Sequence, residues 1–134
     1  MIDIEFEMFT KVATALRNQF SGIYVAGEYV SKPSSFPAVY ISEQSNTANR
    51  ATRDSKSNEN YADVMYQVDV YSNKNMGKKQ EVKAIMAAVD EQFAALGFTR
   101  SFCNPTPNMD DATIYRMTGR WIATVNPDGV VYWR

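Results

Sequence analysis

Histidine is absent from this chain of 134 residues. Its absence removes the commonest general base and the commonest metal ligand, and with them every catalytic triad built on imidazole. Most hydrolase designs therefore have no starting point here. Cys103 is the sole cysteine, which excludes an intramolecular disulfide framework and fits a reducing compartment. A partly buried structural thiol is the expected state, since burial is the usual fate of a free cysteine. No apolar run approaches the roughly 20 residues of a membrane helix, so no membrane partner is expected. The first residues carry Asp3, Glu5 and Glu7 where a secretory leader would be basic, and synthesis for the cytoplasm is the expectation. Charge of one sign is lacking too. Fourteen Lys and Arg stand against fifteen Asp and Glu, so the summed field exerts no long-range pull on nucleic-acid phosphates.

The usual chemical motifs are missing as well. Gly77-Lys78-Lys79 has neither the earlier glycine nor the following Ser or Thr of a phosphate-binding loop. Asp110 and Asp111 are adjacent, and neighbours in extended chain point apart, so a loop role is expected rather than a paired-carboxylate or metal site. Ser101, Thr99 and Cys103 have no base or oxyanion motif beside them. Arg50, Arg53 and Lys56 with Tyr61, Tyr66 and Tyr71 make a thin case for nucleic acid. Asp54 and Glu59 dilute the charge, and specific nucleic-acid binding is not expected. The expectation is a non-enzyme with no cofactor and no metal.

What is present is a soluble-type composition, 45% hydrophobic and 22% charged, in a length that fits one domain spanning residues 1–134 and able to bury a core without staples. The stretch from Tyr61 to Phe98 supplies that core. Val64, Tyr66, Val68 and Val70 recur at period two, with Gln67 and Asp69 on the other face, which predicts a strand with one dry side. Val82, Ile85, Met86, Val89, Phe93 and Leu96 follow helical spacing and predict an amphipathic helix ended by Gly97. Ahead of this unit, Met1 to Phe20 reads as another amphipathic helix, with Phe9, Val12, Ala13, Leu16 and Phe20 on one side and a Glu7–Lys11 pair on the other. IYVAGEYV is a short extended segment turning at Gly27, and Ala38 to Glu43 a second strand. Residues Gln44 to Asn60 hold no large apolar side chain and predict a long mobile loop, either a tolerated hairpin extension or the place where a partner binds through Arg50, Arg53 and Lys56. FTRSFC is a short strand, TIYRMTGRWIATV a long one, and the Asn126-Pro127-Asp128-Gly129 turn returns VVYW beside it.

The element order predicts an α+β domain, with two helices packed on one face of a mostly antiparallel sheet and a long mobile loop between strands. The opposite face, with Gln67, Asp69, Arg116 and Arg120, is read as too polar for a second core. It suits water, cross-strand pairs, or a neighbouring subunit held by Asp69, Arg116 and Arg120. The second helix carries Lys78, Lys79 and Lys83 early and Asp90 and Glu91 late, against its own dipole. An outward face charged that way matches a neighbour's surface, which makes Lys78 and Lys83 further candidates for subunit contact.

The unit YQVDVYSNKNMGKKQEVKAIMAAVDEQFAALGFTR followed by DDATIYRMTGRWIATV resembles the tail terminator, or tail-completion, proteins of long-tailed bacteriophages, a family that includes chains labelled minor capsid protein. The likeness covers most of the chain in length and element order, and its motifs are structural rather than catalytic. It implies a small α+β subunit of the virion, assembled in the bacterial cytoplasm. Such a subunit closes into a ring, a homo-hexamer, capping the tail tube protein and joining it to the head-side connector protein. The resemblance also allows another connector or tube component, and the residues leave open a nucleic-acid or small-ligand module on a ferredoxin-like sheet.

Overall fold

The computed structural model describes residues 1–28, 33–48, 61–107, 112–127 and 131–132. Helix α1 (Glu5–Gln19) leads to strand β1 (Tyr24–Ala26), then β2 (Ala38–Ala48), β3 (Ala62–Ser72), helix α2 (Lys78–Ala95), β4 (Thr99–Pro105), β5 (Tyr115–Val125) and β6 (Val131–Tyr132). The strands form one sheet in the order β1-β2-β3-β5-β4, with β6 also on β5. Only the β1–β2 pair is parallel. Because β3 already lines one side of β5 out to Val125, β6 must continue the edge that β4 occupies as far as Ile122. This is an α+β fold with both helices on one face.

The register explains the core. Val64, Tyr66, Val68 and Val70 of β3 oppose Ala123, Trp121, Gly119 and Met117 of β5, while Val39 and Ile41 of β2 oppose Val70 and Val68. These side chains share the face on which α1 lays Met8, Val12 and Leu16, and α2 lays Val82, Ile85, Val89 and Phe93. Each such side chain, fully buried, stabilises the fold by about 1.5–3 kcal/mol. Tyr66, Phe93, Phe98 and Trp121 make the aromatic centre, with the Phe93 and Trp121 rings stacked 5.0 Å apart. The indole of Trp121 lies across Gly119, where an added Cβ would come 2.6 Å from the ring, so this position needs glycine for space rather than for backbone freedom. Gly97, at φ 91°, does need the freedom. It ends α2 while Phe98 N–H donates back to the Phe93 carbonyl at 2.9 Å.

Three sequence expectations change. The first helix begins at Glu5, not Met1, and the four residues before it instead bury Ile2 and Ile4 against the core. Strand β2 runs to Ala48, five residues into the stretch expected to be loop. Past a bulge between Glu43 and Ser45 it pairs with Ala62 to Met65, so its backbone is satisfied by the neighbouring strand without apolar side chains of its own. The sheet face away from the helices does hold a second apolar cluster: Ala38, Tyr40, Tyr71 and Ile114 are buried there, with Ala26 and Phe36 packed against them. Phe36 comes from a loop that strand periodicity does not register, and Ile114, expected as the second residue of the long strand, lies just ahead of β5, which begins at Tyr115. Arg50, Arg53 and Lys56, with most of the expected loop, lie outside the described residues, as do Asp110 and Asp111.

Candidate functional site

The second sheet face has two parts, the aromatic cluster at one end and a polar ladder in the middle. The ladder comes from strand parity. Gln67, Asp69 and Tyr71 of β3 oppose Arg120, Thr118 and Arg116 of β5 on that face. Asp69 is its hub and is only 2% exposed. Its Oδ1 accepts from Arg116 Nε at 3.1 Å, Arg116 Nη2 at 2.9 Å and Thr118 Oγ1 at 2.6 Å, and its Oδ2 accepts from Gln67 Nε2 at 3.0 Å. Gln67 Oε1 in turn accepts from Arg120 Nε at 2.9 Å, and Thr106 donates to the Thr118 hydroxyl at 2.8 Å.

Four donors converge on the Asp69 carboxylate, three of them on Oδ1, so it serves as a girder between the two strands. The guanidinium groups are held from behind as well. Arg116 lies 5.3 Å over the Tyr71 ring and Arg120 5.4 Å over Phe102 of β4. The result is a rigid polar surface with two partly exposed arginines.

Of the residues nominated from sequence for subunit contact, Asp69, Arg116 and Arg120 are therefore brought together, although Asp69 itself is buried beneath its arginines. Lys78 and Lys83 are not part of this cluster. Lys78 Nζ donates to the Thr113 carbonyl at 3.0 Å, tying the start of α2 to the approach of β5, and Lys83 is exposed on α2 beside the groove that Cys103 and Met117 also line. The reversed charge order of α2 thus has local causes at two positions, because Asp90 accepts from Trp121 Nε1 at 3.0 Å and from Arg100 at 2.9 Å. Gln67, Thr118, Thr106 and Phe102 are ladder members that the sequence reading did not nominate. Pairing the two strands on paper with Asp69 opposite Thr118 would have found the first two; Thr106 and Phe102 come from elsewhere in the chain.

Cys103 on β4 is half-buried, and burial pushes its thiol pKa up, the nearby Arg100 opposing this more weakly. Among the described residues no group of three or more acids and cysteines is placed to hold a metal ion, and no helix is long and apolar enough to cross a membrane. Comparison with protein-family models and with curated proteins yields no match.

Proposed function

We propose that this chain is a structural subunit of a long-tailed bacteriophage virion, which closes into a homo-hexameric ring at the head-proximal end of the tail tube. There it ends tail growth and joins the tube protein to the head-side connector protein. The reading rests on the resemblance of the strand–helix unit and the final long strand to tail terminator proteins. The observation that best supports it is the ladder on the second sheet face: two arginines, partly exposed and locked by Asp69, Gln67 and the Tyr71 and Phe102 rings, on a face that neither helix covers. Such a surface is already ordered before a partner arrives, so docking costs little side-chain entropy. Where this face meets a different surface of the next copy the contact is head-to-tail, and head-to-tail contacts make a ring when the rotation between copies closes.

Light scattering after size exclusion, with electron microscopy of the protein mixed with tail tubes, tests the reading. Rings of six that seat on one end of the tube are expected, and Arg120→Glu should reduce both ring formation and seating. A protein that stays monomeric and never decorates tube ends would overturn it. Location along the tube or inside the head, instead of at the tube end, would assign the chain to another connector or tube component.

A further inference from the structure

Two exposed apolar features lie at different places on the subunit, and their surroundings carry opposite charge. The first is an open groove of about 670 Å³ between the start of α1 and the β1 edge, walled by Phe6, Phe9 and Tyr24, with Glu5 and Glu28 on its rim. Phe6 is 82% exposed and Tyr24 39% exposed. Glu5 is fixed in place, since its Oε2 accepts the Glu43 backbone N–H at 2.9 Å. The second feature is Met76, 85% exposed at the turn between β3 and α2. Its turn is set by Gly77 at φ 81°, whose carbonyl accepts the Glu81 N–H at 2.9 Å, and by the bond from Lys78 to Thr113. Lys74, Lys78 and Lys79 lie within three residues of it along the chain, Lys74 and Lys79 exposed. A large apolar side chain standing in water on a well-anchored turn, with lysines before and after it in the chain, calls for an explanation. So does an aromatic groove rimmed by glutamates.

We infer that the groove of one copy receives the Met76 turn of a second copy. A thioether is suited to a cleft of phenyl and phenol rings, with which sulfur makes favourable contacts. The lysines flanking Met76 then meet Glu5 and Glu28, which sets orientation and speeds encounter. Groove and turn share no residue, so a pair of copies keeps one free turn, on the copy whose groove is filled, and one free groove, on the other. The contact is head-to-tail and propagates until it closes. This inference deepens the ring reading by naming a contact within the ring, and it concerns self-association rather than placement in a virion.

Two single variants in a Cys103→Ser background test it, one carrying Phe6→Cys and the other Met76→Cys. They are mixed and treated with a short bis-maleimide. Cross-linked pairs joining the two variants, and none when either is treated alone, are expected. Phe6→Asp and Met76→Asp should each weaken self-association at least tenfold while circular dichroism stays unchanged, as both side chains stand in water. Glu28→Lys should weaken it less, with recovery when combined with Lys79→Glu. Rings that form without the cross-link would overturn this contact and leave the ring reading standing. Cross-linked open chains would support the contact and overturn the ring. A protein monomeric at every concentration, with no cross-link, would overturn both.

Discussion

The indole N–H of Trp121 on β5 donates to Asp90 Oδ1 on α2 at 3.0 Å, and so pins the helix to the middle of the sheet. Trp121 is fully buried, and Asp90 reaches it from the half-exposed margin of the helix. One carboxylate thus serves a buried donor with one oxygen and Arg100 with the other.

Replacing Asp90 by Ala leaves that N–H buried without an acceptor, at a cost of about 1–3 kcal/mol. Asp90→Asn keeps an acceptor and should cost less than about 1 kcal/mol, because the half-exposed pair with Arg100 contributes little. Urea unfolding followed by circular dichroism separates the two variants.

Gly119 is the floor on which the Trp121 ring rests. Gly119→Ala places a methyl where the ring is, and since the neighbours Phe93 and Val68 are themselves buried, the ring has little room to shift. A loss of about 1–3 kcal/mol is expected, as for other overpacked cores. The fall in thermal midpoint measures it, and near-ultraviolet dichroism should report the displaced indole.

Asp69→Ala removes the common acceptor of the ladder, and with it the 2.9 Å ion pair to Arg116 and the bond from Thr118. A loss of about 1.5–3 kcal/mol is expected, the range for buried hydrogen bonds to a charged group. Thr118→Val, which deletes one neutral donor to Asp69 and the acceptor of the Thr106 hydroxyl, should cost about 1 kcal/mol. Equal losses from both in urea titrations would mean that Asp69 is not the hub.

Tyr66 couples stability to alkaline pH. Burial raises its phenol pKa, and its hydroxyl bond to the Glu43 carboxylate, 2.7 Å, raises it further. The unfolded chain releases this proton above about pH 10 while the folded chain holds it, so stability is complete below that pH and falls as pH rises beyond it. The slope is about 1.4 kcal/mol per pH unit for each such group. Tyr40, raised mainly by burial, adds to the fall. Tyr66→Phe should flatten the dependence above pH 10 by one proton, read from unfolding free energies measured across that range.

Much of the architecture was legible from residue order alone. The period-two run from Val64 to Val70 and the helical spacing from Val82 to Phe93 identify β3 and α2, because burying one face of a regular element requires those repeats. The same holds for the Glu7–Lys11 pair, 3.1 Å apart on α1, which follows from helix geometry. The far half of β2 was not legible, since its stabilisation comes from backbone pairing with Ala62 to Met65, and that partner is distant in the chain. Strand pairing also decided the ladder. Asp69 reads as a surface acid in sequence, yet it is buried, because the register sets Thr118 opposite it and Arg116 diagonal to it. Likewise Asp90 looks misplaced on its helix until Trp121 arrives from β5, 31 positions later. Local repeats determined which segments are helix or strand and which sides are dry, since those depend on near neighbours. Only the folded arrangement decided which charges are satisfied internally and which apolar groups, such as Phe6 and Met76, remain in water, since that depends on contacts between residues far apart in the chain.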